Sequence, residues 1–558
     1  MQIAHTTTCR PASNALALLG AAALLALAGN ALAAPTFNYT VLLRDGDAIN
    51  APNGGPNVGG VTFFNNMKIN NNGVWYTQLD TDGSSASNSL TVRNGISIFQ
   101  EGSESDPALP GTFLGLPANT GGGFNDSGDW STNLTLTGAG VTGTTDTAVI
   151  VNGKVIWRES NPVTDTAFPA GQGYQGFFHT KMDNAKNVYL MVSVANIGTT
   201  TNLKRAFLKL VYNPTTQTYT DDILLRADDP VPGTTSSLIS DFETAHQTWN
   251  VSSNGNTICI ATYSPAFVNN GVSGNAAVYV NGTLLIKEGD PVEGVPGRNW
   301  RIIDGGGVGI NANGDVVIRG TMDGDTNTDG IIVKRVGGVW SVVAQEGVTT
   351  HPDFSGMVVN ALTTEVSIDN AGNVMWPCTF RTPPGTTATG TGLFYNNQLV
   401  MRQASASNLI DGFQLSTLRV ISQGHQMNEA GTAALVRVVL DYPTPTSDKD
   451  ALVRVDIVNP VAAGCNPADI ACDDGTPLAA APGCTNSTNG PNEGDYNAFF
   501  AANGFFFQAG QGIAAIGGTC DIACDDGTAL SASPGCTNNG VNEGDYNCFF
   551  NNLFLPCV

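Results

Sequence analysis

The sequence predicts an all-β fold, a seven-bladed β-propeller built from four-stranded repeats of about 60 residues, with a small disulfide-rich module at the C-terminus. Three observations predict it. An Asn-x-x-Gly-like turn leading into a short β-type run recurs at Asn70, Asn125, Asp183, Ser252, Asn311, Asp369 and Asn428, at spacings of 55, 58, 69, 59, 58 and 59 residues. A second mark, a strand ending in a polar pair, keeps the same beat: Arg44-Asp45, Gln100-Glu101, Arg158-Glu159, Arg226-Ala227, Lys287-Glu288, Gln345-Glu346 and Arg402-Gln403. The third is composition. With 66 Gly and 28 Pro in 558 residues, and Asn, Thr and Val where Ala, Leu, Glu and Lys would build helices, long helices are excluded.

The chain opens with an export signal over residues 1–33. Arg10 is its only charge, the apolar run Ala15 to Ala28 follows, and Ala31-Leu32-Ala33 supplies small residues at the cleavage spacing. That run is too short to span a bilayer and no later segment is long enough, so the protein is expected to be secreted or displayed at a cell surface. The balance of 47 acidic against 24 basic residues, a net charge of −23, argues against a nucleic-acid partner, which needs a basic face. Hydrophobic residues at 41% suffice for a sizeable core.

Within each repeat, the Val- and Ile-rich run after the turn reads as a strand, as in Asn311-Ala-Asn-Gly-Asp-Val-Val-Ile. A polar loop, a second strand and a two-residue hairpin follow, the hairpins being Asn94-Gly95, Asn152-Gly153, Asn281-Gly282, Gly337-Gly338 and Asn396-Asn397. These residues tolerate the positive φ of primed turns. A strand before the turn, as at Glu365 to Ile368, completes four. The last repeat stops after Ala451 to Val458 without its post-hairpin strand, while Tyr39 to Leu43 is an orphan copy of that strand. Pairing the two would close the ring and hide two open edges. An open solenoid or a pair of sandwiches is the rival architecture. Residues 39–458 resemble the bacterial "choice-of-anchor" tandem-repeat surface proteins with their N-x-x-G-x-x-x-A-F pattern, a resemblance that implies a surface protein and no defined activity.

After a linker at 459–464 the composition changes. Residues 469–500 and 521–550 are near copies: Asp469-Ile-Ala-Cys-Asp-Asp-Gly-Thr matches Asp521-Ile-Ala-Cys-Asp-Asp-Gly-Thr, and Asn492-Glu-Gly-Asp-Tyr-Asn matches Asn542-Glu-Gly-Asp-Tyr-Asn. Eight of eleven cysteines crowd into this tail, which in an exported chain implies disulfides. Cys472 and Cys484 are twelve apart, as are Cys524 and Cys536, so two local bridges are the simplest pairing; Cys465, Cys520, Cys548 and Cys557 are left unassigned. Closely spaced carboxylates, a turn Gly and a later acid starting a helix suggest an EF-hand-like calcium cage. The candidate ligands are Asp469, Asp473, Asp474 and Asp495 with Asn492 or Glu493, and Asp521, Asp525, Asp526 and Asp545 with Asn542 or Glu543. A disulfide-stapled acidic tail without metal is the competing reading. The tail resembles bacterial dockerin-type modules of the Cys-containing kind, which implies calcium and a cohesin-like receptor; unlike a dockerin loop, a Cys-bearing insertion separates Gly475 from Asn489.

Asp325-Thr-Asn327-Thr-Asp329-Gly330 fits the start of a further calcium loop, against which stands a solvated Asx turn. No nucleophile elbow, zinc-protease helix or phosphate loop is present, and the four histidines after the signal, His179, His246, His351 and His425, fall at non-equivalent repeat positions. The expectation is a non-catalytic exported protein, its propeller a binding or structural scaffold for an envelope protein or glycan, its tail an anchor or sorting device. A secreted polysaccharide-degrading enzyme and a calcium-dependent adhesin are the alternatives. The enzyme would need acids and His or Tyr converging at one propeller face.

Overall fold

A computed structural model describes residues 35–59, 65–103, 112–117, 122–199, 203–363, 365–385, 387–388, 390–404, 409–418, 424–442, 448–458, 467–478, 484, 491–530, 536–553 and 555. The expected export signal at 1–33, the expected linker at 459–464, and Cys465 and Cys557 lie outside the described residues. The chain divides into two compact units, one of residues 36–458 and a second that contains residues 459–558.

The first unit is a propeller of seven antiparallel sheets. Blade 1 runs outward through Asn65–Ile69, Trp75–Asp80, Ser89–Arg93 and Ile96–Gln100. Blades 3 and 5 repeat that plan from Gln172–Met182 and Trp300–Ile310. In blades 2, 4, 6 and 7 the innermost strand is broken in two, for example Leu238–Phe242 with Trp249–Val251 and Val358–Leu362 with Ser367–Ile368. Closure is as the orphan strand predicts: Thr36–Arg44 pairs antiparallel with Lys449–Val458, from Thr36 opposite Val458 to Arg44 opposite Ala451. The first strand therefore completes the seventh blade, and neither edge is left to template aggregation.

The apolar residues of each blade pack against the next blade, giving one core at each of the seven junctions. Between blades 4 and 5, for instance, Ile258, Val278, Trp300 and Ile318 are buried together. Such strands must be apolar on both faces, which is why blade strands such as Val188–Asn196 read as unbroken hydrophobic runs rather than alternating ones. The outermost pairing of every blade carries one β-bulge, between Thr91 and Val92 in blade 1 and between Ile332 and Val333 in blade 5, which adds local twist.

The repeated turn earns its recurrence through hydrogen bonds. Asn70 Oδ1 accepts from the N–H groups of Asn72 (3.1 Å) and Val74 (2.9 Å), folding the turn onto its own side chain. Three residues on, the chain needs positive φ in all seven copies: Gly73, Gly128, Gly255, Gly314, Gly372 and Gly431, with Lys186 held at 68° in the third. Each turn also reaches the next around the ring. Asn70 Nδ2 donates to Asn125 O (3.0 Å), Asn125 Nδ2 to Asp183 O (3.3 Å), Asn311 Nδ2 to Asp369 O (2.6 Å), and Asn428 Nδ2 back to Asn70 O (3.2 Å). Where Asp replaces Asn the side chain has no donor, and the backbone takes over: Asn184 N donates to Ser253 O and Asn370 N to Glu429 O, both at 2.7 Å. At Ser252 the link passes to Asn256 Nδ2, 3.4 Å from Asn311 O. The seven links close a hydrogen-bonded girdle around one end of the axis.

The second unit holds the two tail copies. Each forms a tight turn and a short helix, Glu493–Phe499 and Glu543–Asn552, both opened by an Asn capping box. Disulfides join Cys472 to Cys484 and Cys524 to Cys536, each with Cα atoms 6.0 Å apart, as the equal spacing predicts. Phe499 and Phe549 stack at 3.9 Å, so the duplicated aromatics form a shared core. No helix among the described residues is long and apolar enough to cross a membrane.

Candidate functional site

The breaks in the innermost strands turn side chains into the axis. Glu365 comes from the gap before Ser367–Ile368, His246 from the gap before Trp249–Val251, and His425 from His425–Met427. They meet at one carboxylate. His246 Nε2 lies 2.9 Å from Glu365 Oε1, and Glu365 Oε2 accepts from Gly424 N (2.6 Å) and His425 N (3.1 Å), with His425 Nδ1 at 3.6 Å. The Glu365 side chain is 7% exposed and that of His425 1%. His179, at φ 41°, packs its ring 5.9 Å from that of His246.

Two lysines face this carboxylate from blades 1 and 3. Lys181 Nζ donates to His246 O (2.9 Å), Trp249 O (2.5 Å) and Asn250 Oδ1 (3.2 Å), a full set of acceptors for an ammonium, and sits over the Trp249 ring at 4.7 Å. Lys68 Nζ donates to Gln426 Oε1 at 3.1 Å. Burial pulls Lys68 down to about 8, against the opposing pull of Glu365, and burial together with the charge of Lys68 lowers Lys181 further. For Glu365, burial pushes the carboxyl up, but the His246 bond and the donors around Oε2 outweigh it and hold it below its ordinary value. Burial lowers both His246 and His425, against the opposing pull of Glu365.

A cavity of about 80 Å³ lies between this cluster and the girdle, lined among others by Lys68, Gly123, Lys181, Asn250 and Gln426. Glu429 closes its far side: reaching from blade 7 to blade 4, its two oxygens accept from Ser253 N and Ser253 Oγ, both at 2.7 Å. Asp126 beside it accepts from Asn71 N, Asn71 Nδ2 and Asn184 Nδ2 at 2.7–3.0 Å.

The acid of the second sequence mark is buried at Glu101, Glu159 and Glu288 and half-buried at Asp45 and Glu346. The backbone N–H of Asp45, Glu101, Glu159, Glu288 and Glu346 each donates to the neighbouring strand at 2.9–3.0 Å. Burial raises the carboxyl of all five, Glu159 to about 7 with a hydrogen bond shared with Asp146 adding to the effect.

The candidate calcium ligands of the tail are held as follows. Asp495 Oδ1 accepts from Ile470 N (2.6 Å) and Ala471 N (2.8 Å), and Oδ2 from Asn492 N (2.8 Å); Asp545 does the same with Ile522, Ala523 and Asn542. These acids therefore cap a helix and pin the first turn of their copy. Asn492 and Asn542 spend Oδ1 on the helix start and turn Nδ2 toward Asp473 (2.8 Å) and Asp525 (2.7 Å). Asp474 and Asp526 accept from Thr476 N and Thr528 N (2.9 Å), and Asp521 from Gly517 N and Asn538 Nδ2. Asp469 is buried. Cys520 and Cys548 are buried thiols.

In the blade 5 loop, Asp325 Oδ1 accepts from Asn327 N and Nδ2 (3.0 Å each), an Asx turn. Arginines crowd it: Arg298 donates to Thr328 Oγ1 (3.3 Å), Arg381 to Asn327 O (3.4 Å), and Asp329 lies near Arg301 and Arg298. Among the described residues no group of three or more His, Cys, Asp or Glu side chains is arranged to hold a metal. The axial cluster is what the sequence reading missed. His246 and Glu365 sit six and four residues before their turns, so no shared repeat position marks them.

Comparison with known proteins gives one family match, to a model described as a family of unknown function (DUF7453), over residues 19–437. No curated protein matches the chain. Among solved structures, the polysaccharide lyase Uly1 is similar at 10% identity and TM-score 0.33, over 76% of this chain and 99% of its own. The α-L-arabinofuranosidase Arb93A of Fusarium graminearum is similar at 12% and 0.26, over 64% and 98%, and the sialidase of Trypanosoma rangeli at 11% and 0.25, over 76% and 60%. Likenesses this distant carry no argument about activity.

Proposed function

The chain belongs to the DUF7453 family, whose function is undefined, and from that premise we propose that it is an exported, non-catalytic binding scaffold. Its partner is an envelope protein or a glycan, and its tail is a docking or anchoring module. One observation carries the reading: Glu365, the carboxylate at the axis, is consumed internally. His246 takes one oxygen and the N–H groups of Gly424 and His425 the other, so at least three of its four lone-pair sites are spent inside the protein. A general acid or base must lie within hydrogen-bond reach of its substrate.

A polysaccharide-degrading enzyme is the second reading, favoured by the meeting of one acid with His246, His425 and His179. The test is incubation of the full chain with insoluble and soluble polysaccharides, assaying retention on the solid and release of reducing or unsaturated ends. Retention without release fits the scaffold; turnover that disappears in Glu365→Gln sinks it.

For the tail, the choice-of-anchor and dockerin resemblances support a sorting role, and the near-identical copies with matching bridges support a docking surface. We extend the calcium reading only to the exposed pairs Asp473–Asp474 and Asp525–Asp526, because Asp495 and Asp545 are held by backbone donors. Calorimetric titration of calcium into the chelator-treated chain tests it. Two saturable events support a dockerin-like module and keep a calcium-dependent adhesin in view; none leaves an acidic tail held by disulfides.

A further inference from the structure

We propose that the axial cavity is a binding site for a small oxyanion, a carboxylate or phosphate group, held by Lys68 and Asn250. This site is independent of any partner at the protein's surface.

Unmet hydrogen-bond capacity marks the site. An ammonium carries three donors, and Lys68 Nζ has one acceptor among the described residues, Gln426 Oε1. Lys68 is half-buried and lines the cavity. Asn250 spends Oδ1 on Lys181 Nζ and on Val251 N (2.9 Å), and its amide NH₂ has no acceptor among the described residues. Two under-used donor groups thus line one half-open pocket, and what they lack among the described residues is an acceptor.

Lys181 adds a second amino group beside Lys68, with the carboxylate of Glu365 nearby. The other acids at the cavity, Asp126 and Glu429, are already engaged by Asn71, Asn184 and Ser253 and aim their oxygens at those donors. The space of about 80 Å³ exceeds what one water needs and suits a group the size of a carboxylate or phosphate.

The experiment is calorimetric titration of the full chain, in chloride-free buffer, with inorganic phosphate and separately with acetate. One saturable site for either is expected, and the tighter of the two identifies the chemistry. Lys68→Met should weaken it about ten- to hundredfold, the loss of a charge-assisted contact. Asn250→Ala should weaken it less, and Lys68→Arg should retain binding. Should Lys68→Met fail to fold, Asn250→Ala and Lys68→Arg decide. Absence of saturable binding by both anions overturns the proposal and leaves water in the cavity; so does binding that Lys68→Met and Asn250→Ala leave unchanged.

Discussion

Replacing Glu365 by Gln keeps the shape of the axial hub, removes its charge and turns one accepting oxygen into an amide donor. The carboxylate has three donors within 3.1 Å: His246 Nε2, Gly424 N and His425 N. A bond to an ionised acceptor contributes about 1.5–3 kcal/mol and its neutral counterpart about 0.5–1.5, so converting the two backbone bonds and losing or reversing the His246 bond cost about 3 kcal/mol together. Loss of the countercharge to Lys68 and Lys181 acts in the same direction, which places the total at about 3–5 kcal/mol. All seven tryptophans lie between Trp75 and Trp376, so fluorescence during urea unfolding reports the propeller alone. The midpoint should fall with an unchanged slope. Adding Lys68→Met to Glu365→Gln should restore part of the loss, because it removes a cation left unbalanced. A Glu365→Gln variant within about 1 kcal/mol of the parent, or a double variant as unstable as the summed singles, would refute the claim that this carboxylate neutralises the axis.

Other consequences are equally direct. Because Glu159 is raised from 4.5 to about 7 in the folded chain, its protonation stabilises the fold fully below pH 4.5, and that contribution is lost as the pH rises through about 7. Glu159→Gln should remove that part of the pH dependence, about 1–2 kcal/mol after allowance for solvent screening, as read from urea midpoints between pH 4.5 and 8. Asn311→Ala should cost about 2–4 kcal/mol, since the buried amide holds both its own turn and Asp369 O, whereas the exposed Asn313→Ala should cost under about 1; equal losses would discount the girdle. Removing the Cys472–Cys484 bridge as the double serine variant should destabilise its copy by about 3 kcal/mol, seen as faster proteolysis near Asp473 and Gly475.

How much of this was legible in the sequence follows from the range of the interactions involved. Turn chemistry is local. Asn70 folds onto the N–H of Val74 four residues on, and Gly73 must take positive φ, so the motif is visible as a repeat wherever it occurs. Hairpins at Asn94-Gly95 and Asn152-Gly153, strand count, ring closure by Thr36–Arg44 and the twelve-residue bridges rest on the same short-range rules. The tail acids show where that legibility ends. Asp495 and Asp545 have the residue type and spacing of metal ligands, but the same pattern also writes an Asn–Asp capping box, and the backbone donors of Ile470 and Ala471 use the oxygens first.

By itself, then, the sequence determined the architecture: seven four-stranded units, their closure, the separate duplicated tail and its two local bridges. Only the tertiary structure decided the axis. Glu365, His246, Lys181 and Lys68 come from four different blades, up to 297 residues apart in the chain as Lys68 and Glu365 are. Their convergence depends on ring closure, with His246 and Glu365 placed at breaks in their innermost strands and Lys68 and Lys181 carried on unbroken ones. Lys68, Lys181, Asn250 and Gln426 share one repeat position, two residues before their turns, but His246 and Glu365 sit six and four residues before theirs, and a departure from regularity leaves no period to read.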